Sequence, residues 1–315
     1  MGSRVTLAWT TIPQVYSLVW LRRAALSLCV LILGLIALGG ATRAMDAGLA
    51  CPDWPLCFGQ LIPDFHPQVY FEFLHRVLAG AIAILTVGFA IGAHRNPAVP
   101  PSVRTFSLVA LMILAVQIVM GGLTVLKLLH FGTVTAHLGL GVAFFGCMVW
   151  IFNILKYEES MDAYQTGDLV YLQWVARAFW IVIGAVFLQI LLGGLVSSNY
   201  AGLACPDWPT CHGQWVPQLD GLVGLQVLHR LGGYLLSLLI VCAAVLQFVL
   251  GAPKRMQRAG FAMVGLVFIQ IIVGVFNVRL GIPPLLTVVH LVIAASIFAL
   301  GLRVLFLARR LSHIA

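Results

Sequence analysis

One stretch of this chain occurs twice. Residues 47–63 read AGLACPDWPLCFGQLIP, and residues 201–217 read AGLACPDWPTCHGQWVP. A shift of 154 positions carries Cys51 onto Cys205, Cys57 onto Cys211, Gly39-Gly40 onto Gly193-Gly194, and His75-Arg76 onto His229-Arg230. A shift of 153 carries Gln117-Ile118 onto Gln270-Ile271 and His137 onto His290. A repeat this long, covering nearly the whole chain, confines the fold to two copies of one bundle and excludes a solenoid of short units.

Each copy is built from apolar runs. Hydrophobic residues make up 61% of the chain and charged residues only 9%, against roughly 25% charged in soluble domains. Eight runs reach the length of about 20 residues that a bilayer crossing needs, at about 22–41, 70–93, 104–126, 132–155, 173–196, 224–250, 257–279 and 284–308. The first run starts only after Arg22-Arg23 and is long enough to span, unlike a cleaved signal peptide. Of the 18 Lys and Arg residues, all but Arg43, Arg76, Lys127, Arg230 and Arg279 fall on one side of these spans. The positive-inside rule then places both termini in the cytoplasm. That bias also accounts for the net charge of +8 without a nucleic-acid partner. The expectation is an all-α integral membrane protein with eight transmembrane helices, N-in and C-in. The helices form two tandem four-helix bundles, 1–155 and 156–315, with the polar linker 156–172 as their boundary. Even-numbered repeats share one orientation, so the halves are related by a pseudo-twofold axis along the membrane normal.

The repeated cysteine stretch falls in the large loops on the outer side. Proline and tryptophan there argue against helix and for a compact loop hugging the interface. Cys51 with Cys57, and Cys205 with Cys211, are spaced for a local disulfide in an oxidising compartment. A metal–thiolate site and a redox-active disulfide are the competing readings, although neither loop supplies the further ligands of structural zinc. Cys29, Cys147 and Cys242 lie within spans and read as packing residues.

Four of the nine histidines recur by duplication: His75 with His229, and His137 with His290. All four sit a few residues inside the outer ends of even-numbered spans. Helices two and four of a bundle can face each other, which would bring His75 to His137 and His229 to His290. An ionisable side chain at that depth marks a functional site by default. Paired imidazoles across a helix bundle hold haem iron from both axial sides. Zinc or copper fits less well, because no carboxylate or thiolate accompanies both members of a pair. The simpler account, a hydrogen bond to a neighbouring helix, suffices for one histidine but not for four at matched depth. His66, His94, His130, His212 and His313 read as ordinary loop, tail or unduplicated residues. Arg76 and Arg230 follow the first ligand of each half and are candidate contacts for haem propionates; snorkelling to the interface is compatible with that role.

The halves also differ. Glu72 lies one turn before His75, whereas Gln226 holds the matching place before His229. A carboxylate beside one candidate haem and a neutral amide beside the other points to acid–base chemistry in the first half. The alternative is an interfacial carboxylate paired with Arg76.

The duplicated Cys-Pro-Asp-Trp-Pro-x-Cys loops, Glu72-x-x-His75-Arg76, and the placements of His137, His229 and His290 together resemble haem A synthase of the CtaA type, over about residues 22–308. The resemblance implies oxidation of the C8 methyl of haem O to a formyl group, by two hydroxylations and loss of water from the geminal diol. It implies that His75 and His137 hold substrate haem O, that His229 and His290 hold a resident haem B, and that Glu72 is catalytic. It implies loop disulfides Cys51–Cys57 and Cys205–Cys211. It also implies the bacterial plasma membrane as location, with the cysteine loops periplasmic. Haem O synthase and an unidentified electron donor are the implied partners, the product serves cytochrome oxidase, and a homo-oligomer is compatible with all of this. Two axial histidines leave no open position for oxygen at iron, so either one ligand dissociates or water supplies the oxygen. The competing class is a dihaem b-type electron-transfer protein, for which the Glu72/Gln226 difference has no use. A parallel-repeat transporter would need helices broken at matched mid-membrane positions, and no such Gly/Pro interruption occurs.

Overall fold

A computed structural model describes residues 12–158 and 171–312. Eight long helices account for nearly all of it: α1 Ile12–Ala44, α2 Pro67–Arg95, α3 Pro101–Leu126, α4 Phe131–Glu158, α5 Tyr171–Ser198, α6 Gly221–Val249, α7 Lys254–Arg279 and α8 Pro284–Ser312. All eight contain stretches long and apolar enough to cross a membrane. Among the described residues the only β pairing is two isolated bridges, Cys57 with Gln60 and Cys211 with Gln214.

Helix starts follow local chemistry. Pro67, Pro101 and Pro284 open α2, α3 and α8, where a missing N–H costs nothing. The ends of α3 and α7 are matched left-handed turns. Leu128 and Leu129 (φ 48° and 56°) stand in one copy, Gly281 and Ile282 (φ 74° and 60°) in the other. Leu129 N–H donates to Thr124 O at 2.8 Å, and Ile282 N–H to Asn277 O at 2.7 Å. Two leucines in the left-handed region are strained, and the repeated hydrogen bond holds them there.

The boundaries differ from the sequence expectation in instructive places. Helix α1 begins ten residues before position 22, because the hydrogen-bond ladder does not stop where the apolar run does. Helix α4 runs on to Glu158, so the boundary expected at 155/156 lies inside its last turn. His94, expected in a loop, lies in the last turn of α2 with Nδ1 2.9 Å from Ala90 O. Linker residues 159–170, together with Arg4 and His313, lie outside the described residues.

Within the first half, α1 packs on α2 and α4, and α3 packs on the same two. In the second half α5 packs on α6 and α8, and α7 on the same two. The halves meet through α1 on α8, α4 on α5, and α4 on α8. That seam is built on glycine. A Cβ on Gly40 would stand 2.9 Å from Leu291, and one on its duplicate Gly194 would stand 2.8 Å from Leu138, the duplicate of Leu291. Close approach of this kind is how helices associate where lipid offers no hydrophobic drive. The seam's interior includes Phe145, Met148, Ile151, Phe298, Leu305 and Phe306, with Trp150 edge-on to Phe306 at 5.3 Å. Polar ties close both ends: Arg43 donates to Tyr200 Oη (2.8 Å) and Ser197 O (2.9 Å), and Arg303 to Asn153 Oδ1 (2.8 Å).

A Cβ on Gly146 would meet the Phe298 ring at 2.7 Å, whereas one on Gly88 would meet nothing within 4 Å. Gly146→Ala is therefore expected to destabilise the detergent-solubilised protein by about 1–3 kcal/mol. Gly88→Ala is expected to be neutral or mildly stabilising, since alanine is the better helix former. Thermal unfolding of the two variants side by side checks this.

Candidate functional site

Each of the four duplicated histidines is pressed against a glycine of the preceding helix. A Cβ on Gly39 would lie 2.9 Å from His75 Cε1, and one on Gly121 3.1 Å from His137 Cε1. The second copy repeats this, with Gly193 at 3.1 Å from His229 Cε1 and Gly274 at 3.0 Å from His290 Cε1. The Gly pairs thus have two uses. Gly39 and Gly193 admit the imidazole of their own half, while Gly40 and Gly194 admit a leucine of the other. Gly121 and Gly274 carry no signal in the sequence beyond their own duplication.

The His229 and His290 rings face each other with centroids 6.4 Å apart and planes inclined by 66°. That is too far for a hydrogen bond between them. It matches the span of two metal–nitrogen bonds of about 2.0–2.1 Å plus the radii of two imidazoles. The Nδ1 atoms of His75, His137 and His290 are buried without a hydrogen-bond partner. Among the described residues no three His, Cys, Asp or Glu side chains converge. Pairs of imidazoles suit a metal that brings its other four ligands with it, as haem does. The residues present therefore fit haem.

The cysteine loops lie over these pairs. Cys51–Cys57 and Cys205–Cys211 are disulfides. The aspartate of each repeated motif folds its loop. Asp53 accepts from Phe58 N–H at 2.6 Å and Gly59 N–H at 2.8 Å; Asp207 accepts from His212 N–H at 2.7 Å and Gly213 N–H at 2.9 Å. Those four donor residues all have positive φ, so the carboxylate caps a left-handed turn. His212 differs from Phe58 in that its Nε2 lies 2.9 Å from Ala204 O.

Arg76 and Arg230 bind these loops from below. Arg76 donates to the carbonyls of Asp53 (2.7 Å), Leu56 and Cys51 (3.2 Å). Arg230 donates to those of Asp207 (2.9 Å), Thr210 (3.1 Å) and Cys205 (2.5 Å). Glu72 is 4% exposed and bridges loop to helix: Oε2 accepts from Cys51 N–H at 2.8 Å and Oε1 from Arg76. Its counterpart Gln226 donates to Gly202 O at 3.2 Å, and its Oε1 is buried without a partner. An amide in the second copy thus does not reproduce the carboxylate's bridge.

Residues 22–302 match the COX15-CtaA family, described as cytochrome oxidase assembly protein. The chain belongs to that family. Among curated relatives, the heme A synthase of Shouchella clausii is 31% identical over 206 residues, covering 64% of this chain and 68% of its own length. That of Shewanella oneidensis is 27% identical over 87% of this chain and 91% of its own. A Listeria monocytogenes heme A synthase is 26% identical over 90% and 94% respectively. In this COX15-CtaA member, the structure brings Glu72, Arg76 and the first disulfide into one cluster one turn from His75. Sequence reasoning missed Gln189, whose Nε2 lies 3.0 Å from His229 Nδ1.

Hydrogen bonds from Gly59 N–H and Phe58 N–H hold the Asp53 carboxyl below the ordinary range, and Thr210 and Gly213 do the same for Asp207. Both carboxylates thus secure their loops above the unfolded value of about 3.9 and release them as the pH falls through the lower folded value. Amide exchange at Phe58 and Gly59, corrected for its intrinsic pH dependence, is expected to be slow above about pH 4 and to quicken progressively as the pH falls below that, through the lower folded value. Asp53→Asn is expected to remove that dependence.

Proposed function

We propose that this chain is a haem A synthase, an oxidoreductase that converts the C8 methyl of haem O to a formyl group for cytochrome oxidase biogenesis. The observation that carries the reading is the glycine-backed histidine pair, present twice, with its rings 6.4 Å apart in the second copy and a buried carboxylate beside it only in the first. Membership of the COX15-CtaA family and similarity to curated heme A synthases support it.

On this reading the chain forms two tandem four-helix bundles in the bacterial plasma membrane, N-in and C-in, with the cysteine loops on the periplasmic side. His75 and His137 hold substrate haem O; His229 and His290 hold resident haem B. Haem B supplies one-electron transfer when bound. Arg76 and Arg230 serve first as clasps on loop carbonyls, so a propionate would reach them only by competing with those bonds. Glu72 stands where it can take or give a proton at the first-half site. Its link to Cys51 N–H makes the same carboxylate a strut for the loop. Haem O synthase, as source of the substrate, and an electron donor complete the reaction. The dihaem electron-transfer alternative predicts two resident haem B groups and no conversion.

Glu72→Gln keeps an oxygen for Cys51 N–H but removes the carboxylate. With haem O supplied by co-expression, extraction and chromatography should show haem B and haem O retained. Haem A should fall by roughly the 10²–10⁴-fold that a general acid or base contributes. Normal haem A from this variant would remove Glu72 from the chemistry. Haem B alone at two per chain, in the unaltered protein with haem O available, would favour the electron-transfer reading.

A further inference from the structure

The tryptophan of the repeated loop meets a different helix in each half. In the first, the Trp54 ring lies on Gly122 of α3, with three atoms 3.1–3.3 Å from where a Cβ would stand. In the second, Val275 holds the matching position, and the Trp208 indole N–H donates to Tyr234 Oη of α6 at 2.8 Å. The place of Tyr234 is taken in the first half by Gly80. A Cβ there would meet nothing within 4 Å. Two paired differences thus bear on one side chain. Gly122 offers Trp54 a seat on α3 where the second half has a valine, and Gly80 withdraws from α2 the phenol that ties Trp208 to α6.

The first half is left with a gap between loop and helix where the second half has a tyrosine side chain. Trp54 is held on its seat, because the carbonyls on either side of it, Asp53 at 2.7 Å and Pro55 at 3.5 Å, accept from Arg76. Val77 and Ile84, one turn to either side of Gly80 on α2, are exposed, so the gap is apolar and opens to lipid. Inward it adjoins the first histidine pair. Gly122 is next to Gly121, the seat of His137, and Gly80 lies five residues after His75, about 7.5 Å along the helix. An open apolar slot beside a binding site inside a bilayer suits an apolar chain that runs from the site to lipid.

Haem O and haem B share one macrocycle, but haem O carries a long isoprenoid alcohol chain where haem B has a vinyl group. Axial histidines meet only the iron, so the paired imidazoles do not tell the two apart. We propose that the Gly80 slot takes the isoprenoid chain of haem O. Tyr234, tied to Trp208, fills the same place in the second half and confines that site to a haem without the chain. This rests on the haem reading above and deepens it by naming what sorts substrate from resident haem.

The test uses the full-length protein purified after co-expression with a haem O source and then given excess haem B. Haems are extracted and each kind is counted per chain by chromatography, so that bound haem rather than turnover is the readout. The unaltered protein should hold one haem B and one long-chain haem, O or A. Gly80→Tyr should lower the long-chain haem about tenfold or more, the effect of forcing bulk into filled space. Haem B should rise toward two per chain in that variant, because the vacated site still fits the macrocycle. Gly88→Tyr, which adds the same ring two turns farther along α2, should hold both haems as before. Tyr234→Gly should raise the long-chain haem above one per chain. Should Gly80→Tyr keep its long-chain haem, the chain lies elsewhere and the proposal fails. Should it lose that haem without gaining haem B, tyrosine spoils the whole site rather than the slot, and the proposal fails likewise. If Tyr234→Gly does not fold, the two glycine variants carry the comparison. An unaltered protein that holds both kinds of haem, with no variant shifting their balance, overturns this inference alone. An unaltered protein with no haem, or with haem B only, overturns the haem A synthase reading with it.

Discussion

The close approach of antiparallel neighbours at glycine is the constraint on which the rest of this structure depends. Within a bilayer, lipid tails are as apolar as leucine, so helices gain little by hiding side chains from them. What fixes one helix against another is contact, and contact at backbone distance requires that a side chain be missing. Gly39, Gly121, Gly193 and Gly274 each leave a hollow that an imidazole fills. Gly40 and Gly194 leave hollows for leucines of the opposite half. Seating of the histidines and assembly of the halves therefore depend on the same residue pairs.

The loops follow from the same economy. A loop at a membrane surface must satisfy its carbonyls without a sheet to pair with. Arg76 gathers four carbonyls and Arg230 three from below, and Asp53 and Asp207 gather two N–H groups each from within. The arginine directly follows the histidine in sequence, so the clasp on the loop and the ring in the bundle move as one rigid helix. In the first half Glu72 adds a third tie, from the Cys51 N–H to Arg76. Chemistry at the loop and at the histidine are thereby mechanically joined in one half and less so in the other.

Duplication frees one copy to change while the other keeps its role. The differences that matter are small and come in pairs: Glu72 against Gln226 on the loop side, and Leu35 with Leu78 against Gln189 with Gly232 on the helix side. The first pair adds an acidic group; the second removes a hydrogen bond from the ring beside it. Both differences lie beside the first histidine of each half.

The sequence by itself determined the duplication, the eight apolar spans, the four histidines and the Glu72/Gln226 difference. Repeats, hydrophobic length and ionisable residues in apolar runs are all one-dimensional signals. Only the tertiary structure decided what each residue touches. Gly39 reads in sequence as a generic small residue and proves to be the seat of His75. Arg76 reads as a contact for a ligand's acid groups and proves to be the clasp of its own loop. Gln189 is silent in the sequence, because its meaning lies in Gly232 and His229, 40 or more positions away on the next helix. Such contacts depend on which faces meet when helices pack, and packing is a property of pairs of helices that no single stretch of chain encodes.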